Sequence, residues 1–257
     1  MNRLENAFKD KKLFIPFITA GYPNLKKTED FIYQAVSAGA GIIEIGIPFS
    51  DPVAEGPVIQ EASQKSLEAG TTLDGIFKLV ENVRKKVSIP LVFMTYINPV
   101  FRCGYDNFFK RCSLVGIDGI IIPDLPFEEK GEISEFAKKY DIKIISLIAP
   151  TSEERIKKIA ESSEGFLYIV SSLGVTGVRQ EIKTDLKSIL ESVRKYTSTP
   201  AAIGFGIHSP EQAKQMSQIA DGVIVGSAII KIIKQYGENA DKYVYDYVKE
   251  MVSSIAL

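Results

Sequence analysis

The 257-residue chain is short of the residues that build disulfide and metal proteins, with two cysteines and one histidine. Cys103 and Cys112 are too few for a disulfide framework and fit a reduced, cytoplasmic setting. His208 alone excludes a histidine-rich zinc or iron site by count. Neither sign of charge dominates, since 31 Lys and Arg face 32 Asp and Glu. That balance leaves no basic footprint for nucleic acid and no acidic tail, so any anion site must be local, built by a few loops. Long apolar runs are missing as well. The longest, such as Ile144 to Pro150, are strand-sized and none approaches a membrane span. Met1 to Asp10 mixes charges and lacks the apolar stretch of a signal peptide. No linker, low-complexity segment or shift in composition marks a second domain, so residues 1–257 read as one.

What is plentiful is apolar residues, at 45%, enough for a sizeable core. They come in eight short runs: Leu13–Thr19, Gly41–Gly46, Leu91–Thr95, Gly119–Pro123, Lys143–Ile148, Phe166–Ser171, Ala201–Gly204 and Gly222–Gly226. Amphipathic stretches rich in Lys and Glu lie between them: Thr28–Ala38, Leu73–Val87, Asn107–Val115, Glu128–Tyr140, Glu153–Ser162, Asp185–Tyr196, Pro210–Gln218 and Ala228–Tyr236. Another, Asp241–Ser254, follows. Continuous apolar strands separated by helices indicate βαβ units and a parallel sheet covered on both faces. Eight units in ~250 residues favour a closed barrel over an open sheet. The expected fold is α/β, a single (β/α)8 TIM barrel with an extra N-terminal helix and a C-terminal helix. An open sheet usually holds phosphate at an early Gly-rich turn. Here the glycine-rich strand ends come late, at units six to eight, where barrels commonly hold it. Two βα loops are long, from Ile47 to about Gly70 and from Ser171 to about Thr184, and long loops are often functional lids.

Glu44 is the most informative residue. Alternation along its strand turns Ile43 and Ile45 to the helices and Ile42, Glu44 and Gly46 to the barrel axis. A carboxylate in an apolar interior is costly unless paired, and burial raises its pKa toward neutrality. Near the C-terminal end of a barrel strand such a group is a proton shuttle, although a Glu paired with a buried Lys or a backbone donor would fit the same pattern. Glu55 lies in a loop dense in Pro and Gly. Alone it reads as a solvated loop charge, but it follows the strand that carries Glu44, and two carboxylates at one barrel mouth could hold different protonation states. Asp51, before a proline, reads as a turn cap.

A second constellation is glycine-rich: Gly174-Val175-Thr176-Gly177, then Gly204-Phe205-Gly206, then Gly226-Ser227 directly before an apolar helix. Glycines let backbone N–H groups approach an anion, and a helix N-terminus adds donors and partial positive charge. Ser209-Pro210-Glu211-Gln212 is explained as an N-cap with Pro at N1. His208 reads as a loop residue before that cap. Phe17, Phe93, Tyr96, Tyr168 and Phe205 lie at or near strand ends, as core or as a ring that could sandwich a flat apolar substrate.

Phe17 with Thr19-Ala20-Gly21-Tyr22-Pro23 resembles the opening signature of the tryptophan synthase α family. So does Glu44-Ile45-Gly46-Ile47-Pro48-Phe49-Ser50-Asp51-Pro52 with Glu55-Gly56-Pro57. Met94-Thr95-Tyr96 with Asn98-Pro99 and the three glycine motifs complete a match that spans nearly the whole chain. The resemblance implies reversible retro-aldol cleavage of indole-3-glycerol phosphate to indole and glyceraldehyde 3-phosphate. It implies Glu44 as acid and base and Glu55 as the group that stabilises charge on the indole nitrogen. It puts Tyr168 by the reacting side chain and Phe17 in the pocket lining. Gly177, Phe205, Gly206, Gly226 and Ser227 would surround the phosphate, and Thr176 would close a lid. It also implies an α2β2 complex with a β subunit that holds pyridoxal phosphate, this chain having no cofactor of its own. One position departs, because the family usually carries Asp where Glu55 stands.

Two competing readings remain at this level. A barrel such as indole-glycerol phosphate synthase or an isomerase would be expected to carry a catalytic Lys near a strand end. Here the strand interiors lack Lys apart from Lys143, at the start of its strand and on the wrong face. A barrel kept only to bind and activate a β subunit would have no need of Glu44 and a phosphate site.

Overall fold

The computed structural model describes residues 3–9, 11–170, 185–204 and 206–255. Within them eight parallel strands close into a barrel in chain order. They are β1 (Leu13–Thr19), β2 (Ile43–Gly46), β3 (Leu91–Met94), β4 (Gly119–Ile121), β5 (Lys143–Ile148), β6 (Leu167–Val170), β7 (Ala201–Gly204) and β8 (Gly222–Val225). Closure is made by β8 pairing with β1, Leu13 opposite Gly222 and Pro16 opposite Val225. Nearly every strand residue is buried, because helices cover the outside and side chains fill the inside. Each run of the sequence reading lies within two residues of its strand.

The outer layer is α1 (Arg3–Ala7), α2 (Leu25–Ser37), α3 (Pro57–Glu68), α4 (Leu73–Arg84), α5 (Ile97–Cys103) and α6 (Tyr105–Val115). It continues with α7 (Gly131–Lys139), α8 (Glu153–Glu161), α9 (Leu186–Arg194), α10 (Pro210–Ser217), α11 (Ser227–Tyr236) and α12 (Asp241–Ile255). Local chemistry sets their starts. Asn24 accepts the backbone N–H of Lys27 at 2.8 Å to cap α2, and Thr72 accepts that of Gly75 at 3.2 Å to cap α4. α10 opens with Pro210 at its first turn and a full capping box between Ser209 and Gln212, as the sequence reading expects. The C-terminal helix α12 packs across α2 and α10. The short N-terminal helix α1 places Leu4, fully buried, beside Gly119 and Gly165 at the N-terminal end of the barrel.

Two segments read as loops contain helices. α3 fills half of the stretch from Ile47 to Gly70. Its cap is Gly56, which offers no side-chain hydrogen bond, so only Pro57 at the first turn signals the start. α5 hides behind Pro99, which falls in the first helical turn, where a missing N–H costs little. Gly104, at φ 82°, separates it from α6. Burial along these two stretches is uneven. Tyr96 and Val100 are buried, whereas Val53 and Phe101 are exposed at 68% and 66%.

Candidate active site

The C-terminal ends of the strands surround a pocket with about 580 Å³ of empty space, its open mouth included. Phe17 from β1, Glu44 from β2, Tyr168 from β6, Gly206 from the loop after β7, and Gly226 with Ser227 at the start of α11 all line it. Glu55, just before α3, reaches in from the side. The pairing register explains part of this convergence. Phe17 lies opposite Glu44, and Leu147 opposite Tyr168, and residues in register turn to the same side of a sheet.

Absent side chains make room for the aromatic groups. A Cβ on Gly46 would run into the Phe17 ring, and one on Gly204 would run into the Tyr168 ring. Gly204 therefore acts through packing. Gly206, buried at φ 80°, and Gly226, the N-cap of α11, are the glycines at the pocket itself. With the hydroxyl of Ser227 and the first backbone N–H groups of α11, they form a cradle suited to an anion.

The two carboxyls are the chemical centre. Glu44 is 3% exposed, and one of its carboxylate oxygens has no hydrogen-bond partner. Burial pushes its pKa up to about 8, and the negative charge of Glu55 adds to the rise. Glu55 is 4% exposed, so the solvated-loop reading is wrong for it. Its pKa is pushed up to about 7 by burial, against a hydrogen bond from the Tyr96 hydroxyl that pulls it down. The Tyr168 hydroxyl is held well above its usual range, first by burial and then by the charge of Glu44. Burial thus favours the protonated form of both carboxyls, while the Tyr96 hydroxyl favours the ionised form of Glu55 alone, an asymmetry that acid–base chemistry can use.

Thr176, Gly177 and Phe205 lie outside the described residues. The pocket also takes in Ile59, Met94, Ile121, Pro123, Leu147, Ile207 and Ile224, which the sequence reading missed. A signal for most of them existed. Met94, Ile121 and Ile224 lie at or near the ends of their strands and share the inward parity of Glu44 and Phe17. These residues make the walls apolar, as a flat aromatic substrate requires. His208 is not in the lining. Its ring Nδ1 lies 3.1 Å from the Gly206 carbonyl, and its own carbonyl accepts the Tyr247 hydroxyl at 2.9 Å, so it braces the loop before α10.

Comparison with known proteins agrees with this geometry. The family model described as tryptophan synthase alpha chain matches residues 4–255. A tryptophan synthase alpha chain of Lacticaseibacillus casei is 47% identical over 251 residues, covering 98% of this chain and 94% of that one. Among solved structures, tryptophan synthase subunit alpha from Legionella pneumophila superposes with a TM-score of 0.91 at 36% identity, covering 99% and 98% of the two chains. A structure titled for the mutual activation of the tryptophan synthase a2b2 complex of Pyrococcus furiosus superposes at 0.87 with 38% identity, covering 95% and 99%.

Proposed function

The chain belongs to the tryptophan synthase alpha chain family, and we propose that Glu44 and Glu55 carry the family's reaction here. That reaction is the reversible retro-aldol cleavage of indole-3-glycerol phosphate to indole and glyceraldehyde 3-phosphate, in the biosynthesis of L-tryptophan. The chain is a carbon–carbon lyase.

The observation that carries the assignment is the buried Glu44, with an unpartnered oxygen in a pocket it shares with a second acid. At neutral pH Glu44 holds a proton and gives it to the indole ring carbon that bears the side chain. The ring nitrogen then carries positive charge, and ionised Glu55 stabilises it. The carboxylate left at Glu44 takes the proton of the neighbouring side-chain hydroxyl. The carbon–carbon bond breaks, its electron pair returns to the ring, and an aldehyde forms on the departing fragment. One proton enters and one leaves, so no external acid or oxidant is needed. Phe17 and the apolar walls hold the indole, and Tyr168 stands beside Glu44. Gly206, Gly226 and Ser227 receive the phosphate at the N-terminus of α11, Gly177 and Phe205 complete that set on the strength of the sequence motifs, and Thr176 closes the lid.

The partner is a tryptophan synthase β subunit in an α2β2 complex, to which indole is passed. Exposed Val53 and Phe101 offer apolar surface for docking. Pyridoxal phosphate belongs to that partner on this reading, and among the described residues no lysine stands at the C-terminal end of a strand. The two free cysteines support a cytoplasmic location, and no described helix is long and apolar enough to cross a membrane. The test is an assay of the purified chain with indole-3-glycerol phosphate, alone and after adding a β subunit. Indole release that rises on mixing is expected. No turnover in either condition would refute the reading.

A further inference from the structure

Glu55 precedes α3, on a stretch with neither strand nor helix of its own, yet its carboxyl must meet a substrate atom with strand-like precision. Something has to hold it. Tyr96, which lies outside the pocket lining, is placed to do so. It is 1% exposed and is the N-cap residue of α5, two residues past the end of β3. Its hydroxyl stands beside the Glu55 carboxyl, holding that carboxyl's pKa down while the charge of Glu55 raises its own. The same oxygen accepts the backbone N–H of Ala54 at 3.2 Å. Its ring stacks on Phe49, with centroids 5.2 Å apart and planes 30° from parallel. One tyrosine therefore grips the β2–α3 connection at three points: residue 49, residue 54 and the acid at 55.

On the reading of Glu55 given above, we infer that Tyr96 is a positioning residue for the lyase reaction, fixing the Glu55 carboxylate through its hydroxyl and tying the β2–α3 loop to the end of β3. The hydroxyl acts in two ways. It fixes the direction of a carboxylate on a flexible side chain. It also favours the ionised form, because a donor to a carboxylate stabilises the charge. Both effects serve a group that must stand as an anion beside a developing positive charge.

Tyr96→Phe keeps the ring and the Phe49 stack and removes only the hydroxyl. In the holo complex, kcat should fall about tenfold, the scale of one hydrogen bond to a charged group, with KM for indole-3-glycerol phosphate little changed. A ¹³C-carboxyl titration of Glu55 in the substrate-free chain should move upward from about 7. In a Glu55→Gln background the same change should cost nothing further. Phe49→Leu, which loosens the ring and spares the hydroxyl, should move the titration the same way by less. A Glu55 titration unmoved in folded Tyr96→Phe, beside an inactive Glu55→Gln, would overturn the role of Tyr96 alone. A titration that moves while Glu55→Gln keeps full activity would overturn the role of Glu55, and with it any part of Tyr96 in the reaction.

Discussion

Each end of the barrel buries a carboxylate, and the two ends treat it in opposite ways. At the N-terminal end Asp118, 3% exposed, meets Arg3 at 2.9 Å, Arg84 at 3.0 Å and the backbone N–H of Leu91 at 2.9 Å. At the C-terminal end Glu44 is equally buried, but one oxygen goes unpartnered and the charge that bears on it is another carboxylate. The first arrangement neutralises a buried charge with cations and donors. The second leaves the cost standing, and the carboxyl avoids it by keeping a proton. A proton held that way is available for transfer. The barrel's N-terminal end is thus organised for stability and its C-terminal end for chemistry.

Exchanging the carboxyls for amides should separate the two ends most sharply. Glu44→Gln should lower the cleavage rate by ~10²–10⁴-fold, the usual contribution of a general acid and base, and leave binding of a glycerol phosphate largely intact. Retention of more than about a tenth of the wild-type turnover would mean that Glu44 is not the acid. Asp118→Asn should do the reverse. Leaving Arg84 buried without its anion should cost about 3 kcal/mol of stability. That is a fall in melting temperature of roughly 6–12 °C for a domain of this size, with kcat near wild type wherever the chain is folded. A rate loss in Asp118→Asn as deep as that of Glu44→Gln would abolish the distinction between the ends.

The contrast between the ends was half legible in the sequence. Strand alternation alone turns Glu44 inward, and the glycine-rich ends of units six to eight point to an anion at the same mouth. Asp118 gave no such signal. Its partners Arg3 and Arg84 stand 115 and 34 residues away, and only the packing of α1 and the end of α4 at the N-terminal end of the barrel brings them together. Glu55 was legible as a member of the site but not as a buried one, because its cover comes from α3 and Tyr96. Both lay in stretches whose Pro and Gly content reads as loop. The strands were the easiest part. A parallel strand covered on both faces is a nearly continuous apolar run, and such runs stand out against amphipathic helices.

A smaller effect follows from proton linkage. The carboxyl of Glu44 sits near 4.5 before burial and near 8 after it. Between those values the folded chain holds a proton that the unfolded chain has lost. The folded state binds more protons there, so stability from this group falls as pH rises through the window and stops falling above about 8. Glu44→Gln removes the term. Its melting temperature relative to wild type should therefore climb steadily between pH 5 and pH 8. Thermal unfolding of the two proteins across that range is the measurement, and a flat difference would mean that Glu44 is ionised in the folded chain.

The smallest effect expected is at Glu55, and it tests whether the mouth is as rigid as the N-terminal end. The family to which the chain belongs usually carries Asp at this position. Glu55→Asp keeps the charge and draws the carboxylate back by one methylene, away from the Tyr96 hydroxyl. At the other end a change of this kind could not be absorbed, because Asp118 is fixed by two arginines and a strand backbone. At the mouth, Glu55 hangs from the connection between β2 and α3, which has no strand or helix of its own, and the pocket has an open side. The connection can shift by a fraction of the lost reach, and the substrate nitrogen then meets the acid slightly deeper. Glu55→Asp should stay within about tenfold of the wild-type rate, which is a barrier change under ~1.4 kcal/mol. Glu55→Ala, which has no anion to offer, should fall by ~10²-fold, the loss of a preorganised charge opposite a developing one. Steady-state kinetics on the three side chains decides the matter. If Asp proves as poor as Ala, charge alone is not what this position supplies, and the mouth holds its acid as rigidly as the N-terminal end holds Asp118.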